Sequence, residues 1–375
     1  MKRLSVSLLI LFLTVFSISA QELALVREGK QFGYIDKSGA YVIEPQFSKA
    51  KSFSEGRAAV LEGKKWGFID TSGKWAIQPE YDKAKYFDSG YALVLKDDQW
   101  QYIDTSGKVL ETPTTDKYFD FQDGVAFIRQ GEKIGLIGTD GKVLLEPTFD
   151  AIKKFRNGHA KVRQGEQWGM IDKTGKLIIP AEYEEIGNSY NASGVFGMKG
   201  GSFGIIHNGS FNIIDGADKV WNFNGTSGLT YARKGKKTGF VNSKGEWVIE
   251  PKYDKARAFS NGLAPVSNDK QWGFINDKGE LVIEMQYRDA EVFAANGLAP
   301  IKEKQWGFID TSGKMVIPAE YDITAGLAFL AGNNQKGFVG DLARLKSKKG
   351  WGFFNEKGEL LGDKWFENAE PFVKN

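Results

Sequence analysis

The sequence predicts an all-β fold made of about ten three-stranded antiparallel meander units in tandem. Two observations support this prediction. A Trp-Gly-Phe-Ile-Asp pattern, clearest at 66–70, returns along the chain, and a fixed spacing of a few tens of residues is typical of repeat architectures. The 45 glycines and 13% aromatic residues suit many short strands joined by tight turns. The copies begin at 32, 66, 100, 134 and 168, each 34 after the last, and then at 203, 238, 272, 306 and 351.

Each unit is predicted to open with a strand that ends in a tight turn. In the clearest copy, Trp66 and Phe68 alternate with Gly67 and Ile69, so the two sets lie on opposite sides of an extended segment. An Asp-Thr-Ser-Gly sequence follows. It favours a turn, because the Asp carboxylate accepts nearby backbone N–H groups and glycine readily adopts a positive φ.

The second strand is short and ends at a proline. In the same unit it comprises residues 75–77, and Pro79 halts it because proline has no N–H to donate to a ladder. Its residues are apolar on both faces, and equivalent segments such as 143–145 and 281–283 share this feature. We therefore expect this strand to be buried on both faces.

A corner and a third strand complete the unit. The corner carries an aromatic residue, Tyr81 in this copy, whose ring we expect to point into the core. The third strand, 91–95, has small apolar residues at Ala92 and Val94, whereas the equivalents of Leu93 vary freely. Such alternation predicts a half-buried strand.

Residues 1–20 differ from the rest of the chain. A basic start, a short apolar run and a small-residue end describe a secretory signal peptide, and the apolar run is too short for a comfortable transmembrane helix. We expect cleavage after Ala20, which leaves 21–375 as one repeat domain with no membrane span. Because the chain has no cysteine, disulfides and thiolate metal sites are excluded.

The two ends of the chain are complementary parts of one unit. Residues 23–32 match a third strand, and 351–372 supply a first strand, a second strand and a corner. A curved, superhelical β-repeat array is the first expectation, because ten units exceed the usual number of propeller blades. The alternative is a closed propeller-like ring, in which the N-terminal strand completes the last unit and removes both sheet edges.

The repeated pattern also resembles a known family. Trp-Gly-Phe-Ile-Asp-x-x-Gly-Lys-x-x-Ile-x-Pro-x-Tyr-Asp is similar to the WG (or KWG) repeat of bacterial proteins, and the resemblance runs from about residue 23 to the C-terminus. It implies an exported repeat protein, and no shared enzymatic activity can be carried over from it. Gln101, Ile134, Phe203 and Thr238 depart from the motif and predict irregular units.

The residues that could carry chemistry favour structure over catalysis. The two histidines, His159 and His207, lack a metal-ligand spacing. The turn aspartates could supply the carboxylate pair that glycosidases need. A catalytic pair should break the repeat, however, whereas these residues recur because each turn needs them. They lie at positions 36, 70, 104, 172 and 310.

The tryptophans that open the units have two interpretations. In the first, each ring covers the neighbouring unit; in the second, the rings form a platform for sugars or aromatic side chains. We favour the structural one. Trp221 and Trp365 lie outside the common register and would be of more interest if exposed.

The functional expectation is an exported, non-enzymatic repeat protein. It would present an extended surface for protein or glycan binding in the bacterial envelope, in the periplasm or at the cell surface. No catalytic, metal or cofactor-binding residue is predicted, and the ligand-binding residues stay unassigned. The formal charge of +3, with interspersed signs, indicates no nucleic-acid partner. One alternative is a carbohydrate-active enzyme with a cleft in the irregular region 186–221; another is a structural surface spacer.

Overall fold

The computed structural model describes residues 22–323 and 336–373, and these form ten small antiparallel sheets arranged in a propeller-like ring. The predicted all-β repeat is therefore confirmed. Numbered in chain order, sheet 1 has the order β3-β2-β1-β36, and the next sheets contain β4–β6, β7–β9, β10–β12, β13–β16, β17–β20, β21–β24, β25–β28, β29–β32 and β33–β35. The expected signal peptide lies outside the described residues.

The strands are short. In sheets 1 to 5 they are β1 (Ala24–Glu28), β2 (Gln31–Ile35), β3 (Tyr41–Phe47), β4 (Ala58–Glu62), β5 (Lys65–Ile69), β6 (Trp75–Tyr81), β7 (Lys83–Asp88), β8 (Tyr91–Lys96), β9 (Gln99–Asp104), β10 (Val125–Gln130), β11 (Lys133–Gly138), β12 (Val143–Phe149), β13 (Ala151–Ile152), β14 (His159–Gln164), β15 (Gln167–Asp172) and β16 (Leu177–Tyr183).

The second half continues the series. Its elements are β17 (Glu185–Ile186), β18 (Val195–Lys199), β19 (Ser202–His207), β20 (Ser210–Ile213), β21 (Lys219–Val220), β22 (Thr230–Lys234), β23 (Lys237–Val241), β24 (Trp247–Tyr253), β25 (Lys255–Ala256), β26 (Ala264–Asn268), β27 (Gln271–Ile275), β28 (Leu281–Tyr287), β29 (Asp289–Ala290), β30 (Leu298–Lys302), β31 (Trp306–Asp310), β32 (Met315–Tyr321), β33 (Phe338–Val339), β34 (Leu342–Ser347), β35 (Gly350–Phe354), a 3-10 turn (Leu361–Asp363) and β36 (Asn368–Ala369).

A complete sheet contains four segments in a fixed order. These are a short corner strand, the third strand of the preceding sequence unit, the Trp-Gly strand and the second strand, as in β13-β14-β15-β16. The sheet boundary therefore falls at the corner: β6 ends at Tyr81, and β7 begins the next sheet at Lys83. The third strand pairs with the Trp-Gly strand that follows it in sequence.

The ring is closed by the two ends of the described chain. β1 pairs on one side with β2 and on the other with β36, through Val26 opposite Ala369 and Arg27 opposite Asn368. The 3-10 turn also packs against the first sheet, since Lys364 Nζ donates to Gly39 O over 3.2 Å. Of the two shapes considered from the sequence, the closed propeller-like ring is the one found; the open superhelical array is not.

Apolar layers between neighbouring sheets hold the ring together. Between sheets 2 and 3, Phe68 and Tyr81 from one sheet meet Phe87 and Ile103 from the next, and the rings of Phe68 and Phe87 are 4.9 Å apart. Tyr81 is 2% exposed, so the corner ring points into the core as predicted. Each sheet thus has one face in the layer shared with the preceding sheet and the other face in the layer shared with the next sheet, as stacked repeats require.

The second strand is not buried on both faces as expected. Its Ile77 is buried, but its neighbour Ala76 is only half-buried, and two equivalents of Ala76 are exposed: Leu144 at 42% and Val282 at 48%. On this face the cover is partial: Val42, Ile178 and Val316, at the position of Ala76 in other units, pack only at the margins of their apolar clusters.

Candidate ligand-binding groove

The glycine of the Trp-Gly motif allows the last strand of each sheet to approach. A Cβ atom on Gly67 would lie 2.7 Å from Ile77 O and 2.8 Å from Pro79 N, both backbone atoms. Contacts below 3.0 Å force the chain apart, so any side chain here opposes pairing between β5 and β6. The same close approach recurs at the matching glycines, which are Gly33, Gly135, Gly169, Gly239, Gly273 and Gly307.

Sheet 3 has Gln101 at this position, and its last strand is missing. β9 stands at the edge of the three-stranded sheet β7-β8-β9. At the start of the segment that would form this strand, Val109 bridges Ile103 and Leu110 N donates to Tyr102 O over 2.9 Å.

Further changes remove the apolar anchors of that strand. Glu111 stands where the clearest unit has Ile77, and Thr115 stands where it has Tyr81. Ile77 and Tyr81 are both buried in sheet 2. The segment 111–115 therefore has little apolar surface to bury against β9, and it forms no strand.

Trp100 consequently has an open backbone edge. In the other sheets of the described chain, the residue that opens the Trp-Gly strand bonds to a later segment, as Trp66 does opposite Tyr81 and Trp351 does opposite Phe366. Ladder pairing of Trp100 runs only to Leu95 on the inner side. Unpaired N–H and C=O groups along a strand edge are a template for another chain.

A groove of about 830 Å³ lies beside this edge. It runs between sheets 3 and 4, with Trp100 and Leu93 on one side and the corner segment 115–120 on the other. Lys85, Asp98 and Gln99 complete the lining. Ligand sites of this size usually combine apolar walls with a few polar groups.

The groove contains charges of both signs beside aromatic rings. In the lining, Lys117 Nζ lies 5.0 Å from the Phe119 ring; Lys83, which is not part of the lining, places its Nζ 5.9 Å from the Trp100 ring. Asp116 is engaged in the corner, where its Oδ2 accepts the Gly131 N–H over 2.6 Å. In a cation–π contact the ammonium group is attracted to the face of the aromatic ring.

The row of motif tryptophans is mainly structural. Trp272 and Trp306 are each 7% exposed, so neither ring offers a free face. Lysine or arginine side chains cover most of the row, at 4.4 Å from Arg257 to Trp272 and 4.7 Å from Lys161 to Trp168. Outside the register, Trp221 stacks on Tyr231 at 4.8 Å and carries Lys219 over its ring, also at 4.8 Å.

The turn aspartates are hydrogen-bonded within their own turns. Asp70 Oδ1 accepts the Ser72 N–H, the Ser72 hydroxyl and the Lys74 N–H over 2.9, 2.7 and 3.1 Å. The Ser72 hydroxyl is the main reason that the pKa of Asp70 is lowered, and backbone donors add to the effect. This supports the structural interpretation of the row.

The histidines and the irregular region form no common centre. His159 lies edge-on to Tyr190 with ring centroids 5.3 Å apart, and His207 Nε2 is 3.1 Å from Ala192 O. In region 186–221, residues up to Ile213 belong to the four-stranded sheet 6, and β21 begins sheet 7. Asn188 accepts a 2.8 Å hydrogen bond from Asn222 Nδ2 between the two sheets. Within residues 22–323 and 336–373, no three acidic or histidine side chains are grouped as metal ligands.

Sequence reasoning identified Gln101 as a departure from the motif but assigned no site to it. The signal was present in three substitutions of one unit: glycine to Gln101, isoleucine to Glu111 and tyrosine to Thr115. Their common consequence, loss of one strand, becomes visible only when the close approach at the motif glycine is known.

Fold and motif together define a class: a closed ring of small antiparallel sheets, each built around a Trp-Gly strand. The chain belongs to the WG containing repeat family, whose model matches more than half of it. The matched residues are 32–66, 66–100, 102–133, 134–168, 168–195, 239–272, 272–305 and 306–324. No curated protein matches the sequence.

Several solved structures show a distant likeness to this chain. One is a eukaryotic initiation factor, at 10% identity and a TM-score of 0.49, with 94% of this chain and 98% of that chain covered. The others are PorZ, a bacterial surface component of the type-IX secretion system of Porphyromonas gingivalis (10%, 0.25, 91% and 61%), and the extracellular domain of a hybrid two component system from B. thetaiotaomicron (12%, 0.24, 92% and 56%). Each TM-score is below 0.5, so the fold assignment rests on the ladders of this chain.

Proposed function

We propose that this chain is an exported, non-enzymatic binding protein of the bacterial envelope, and that it holds an extended polypeptide segment in the groove between sheets 3 and 4. Export is motivated by the signal-like residues 1–20. The described part of the chain has no helix of the length and apolarity that crossing a bilayer would need. N-terminal sequencing of the mature protein should begin at or near Gln21.

One observation carries the choice of ligand. The backbone of Trp100 lacks the strand that bonds to its equivalents in the other sheets. An extended peptide can add to such an edge through main-chain hydrogen bonds, while neighbouring pockets select its side chains. A glycan cannot continue a β-ladder, so the open edge favours a polypeptide over the glycan that the sequence left equally open.

The ring itself supplies a suitable probe. Residues 75–81 (WAIQPEY) fill the equivalent edge of sheet 2, so a free peptide of this sequence has the backbone and side chains that such an edge accepts. Binding of the labelled peptide to the whole protein can be followed by fluorescence anisotropy. We expect saturable binding that Trp100→Ala weakens, because the aromatic wall of the groove is lost.

A repaired variant provides the sharper test. The triple change Gln101→Gly, Glu111→Ile and Thr115→Tyr restores the residues of a complete unit and should let the chain's own segment occupy the edge. The peptide should then no longer bind. Gln305→Gly, in an exposed turn of sheet 9, is the matched control and should bind as the parent does. Equal binding by the parent and the repaired protein would show that the groove is not the peptide-binding site.

The alternatives predict other results. A carbohydrate-active enzyme would release sugar from an envelope glycan, and one Asp or Glu substitution would abolish the release. A structural spacer would bind neither peptide nor glycan. Glycan-array binding without hydrolysis, together with no peptide binding, would move the proposal from polypeptide to glycan.

A further inference from the structure

Four lysines of sheets 2, 3 and 5 lie in or beside the corner segments of their sheets. We call Lys51, Lys85, Lys153 and Lys161 the lysine arc. Lys51 and Lys153 follow corner segments, and their N–H groups donate over 2.9 Å to the carbonyls of Ala59 and Lys161 on the neighbouring third strand. Lys85 lies in β7 and lines the groove.

The corner segments converge on the inside of the ring. Glu370, beside β36 in sheet 1, raises the pKa of Tyr86 in sheet 3, although burial is the larger cause. Asp120 in sheet 4 acts in the same way on Lys51 at sheet 2. Direct contacts also join neighbouring corner segments: the Ser54 hydroxyl, ahead of sheet 2, donates to Phe87 O of sheet 3 over 2.6 Å.

On the opposite half of the ring, the inner cations are neutralised. Arg257 pairs with Asp289 over 2.9 Å and with Glu291 over 3.3 Å, and Lys336 pairs with Glu291 over 2.8 Å. Next to them, Arg344 lies 3.8 Å from Glu370. This half therefore offers little net charge to a ligand.

The lysine arc, by contrast, has no ion pair among the described residues. Lys51 Nζ lies 4.9 Å from the Tyr86 ring, and Lys161 Nζ lies 4.7 Å from the Trp168 ring while donating to Ile186 O over 3.2 Å. Aromatic faces and a carbonyl hold these cations, and no carboxylate lies within ion-pair distance.

Two of these lysines are partly desolvated. Burial lowers the pKa of Lys51, and the Lys85 charge lowers it further; burial likewise lowers the pKa of Lys161, with Lys153 adding to the effect. Asp120 and Glu185 offset these shifts in part. Burial of a cation without a counter-ion carries a desolvation penalty. A bound anion would be attracted to the cation and would offset that penalty.

We propose that the lysine arc binds the acidic part of an extended polypeptide whose adjoining residues occupy the groove. Lys85 belongs to both features, so one segment can cross from the open edge onto the arc. The proposal rests on the proposed function and adds the chemical character of its ligand. Carboxylates along an extended chain can pair with cations contributed by sheets 2, 3 and 5, and electrostatic complementarity of this kind sets specificity.

The test uses two soluble ten-residue peptides, in which valine alternates with glutamate or with lysine, and the whole mature protein. At low salt the glutamate peptide should bind about tenfold more tightly than the lysine peptide, as expected for three added ion pairs of modest strength. Added salt should reduce this preference. The variant Lys51→Gln/Lys85→Gln/Lys161→Gln should lose it.

A matched control removes the same charge elsewhere. Lys65, Lys133 and Lys237 pair with Asp82, Asp150 and Asp254 over 2.6–2.8 Å near the start of three Trp-Gly strands. Their replacement by glutamine should keep the preference for the glutamate peptide. Thermal melts of both variants confirm that each is folded.

The possible outcomes separate the two proposals. If peptide 75–81 binds but the glutamate and lysine peptides bind equally, the acidic ligand is wrong and the proposed function stands. If neither 75–81 nor the glutamate peptide binds, both fall. If polygalacturonate alone binds, and the lysine-arc variant abolishes it, the arc recognises an anionic glycan and the polypeptide proposal is overturned.

Discussion

Val26 and Ala369 are ladder partners, although nearly the whole chain separates them. Around this pair, Glu370 N donates to Leu25 O over 2.8 Å, and Leu23 bridges to Val373. The side chains of Val26 and Ala369 share an apolar cluster with Phe353 of the last sheet and with Phe366 and Phe372, which flank β36. The N-terminal strand therefore acts in two sheets: its backbone pairs within sheet 1, and its side chains pack against the last sheet.

Deletion of residues 22–29 should open this junction. Without β1, the corner segment β36 loses its ladder partner, and Phe353 and Phe372 lose the cover of Ala24 and Val26. We expect amide hydrogen exchange to become faster around Trp351 and Trp365, measured by mass spectrometry after proteolysis. Exchange in β15, on the far side of the ring, serves as the internal control. Faster exchange confined to β2 and β3 would contradict the role of closure.

Gly67→Val should separate β6 from β5. The valine Cβ would meet two backbone atoms at 2.7 and 2.8 Å, and backbone cannot move aside as a flexible side chain can. A loss of unfolding free energy of about 2 kcal/mol or more is expected for such overpacking, measured by urea denaturation. Gln101→Val is the matched control in sheet 3, where no strand follows, and it should change stability little. Similar losses in both variants would show that the glycine is not required for pairing.

The repeat unit and the roles of its recurring residues were predictable, because each is marked by a short local pattern that recurs along the chain. The turn aspartates, the corner tyrosines and the terminal complementarity each follow from residue types at fixed spacing. Ring closure could be named as an alternative from the matching ends. It could not be chosen over the open array, because the curvature depends on small rotations between sheets, which no residue pattern encodes.

The groove illustrates the other limit. Four departures from the motif were visible, yet Ile134 and Thr238 retain the following glycine and their sheets keep all later strands. Gln101 differs because it removes the glycine itself. The second strand was wrongly expected to be buried on both faces, since a short apolar run does not reveal that its sheet ends there.

Tyr81→Ala should create a cavity between sheets 2 and 3. The ring is 2% exposed and packs against Phe68 with ring centroids 6.4 Å apart. Truncation of a buried aromatic residue costs roughly 3–5 kcal/mol, which denaturant titration of the mature protein can measure. Val282→Ala, at a position that is 48% exposed, is the control and should cost less than about 0.5 kcal/mol. A parent-like transition for Tyr81→Ala would show that the corner ring is not a core residue.

The turn aspartates should make stability depend on pH in the acid range. In Asp70, Asp104, Asp172 and Asp310, a Ser or Thr hydroxyl hydrogen bond is the main cause of a lowered pKa. Since the unfolded chain has the ordinary Asp value of about 3.9, the stabilisation is complete above that pH. It is lost as the pH falls through the lower folded value.

Other turns of the same chain have asparagine in place of aspartate, and this replacement should remove the pH dependence of stability. Asn242, Asn276 and Asn355 occupy the same turn position and accept the same backbone N–H groups, at 2.9–3.1 Å, without a titrating proton. The fourfold Asp→Asn variant should therefore lose less unfolding free energy than the parent between roughly pH 5 and 3, in urea titrations at each pH. Asp277→Asn, in a turn whose acceptor is already Asn276, should follow the parent. An unchanged acid profile in the fourfold variant would show that the lowered pKa values arise equally in the unfolded chain.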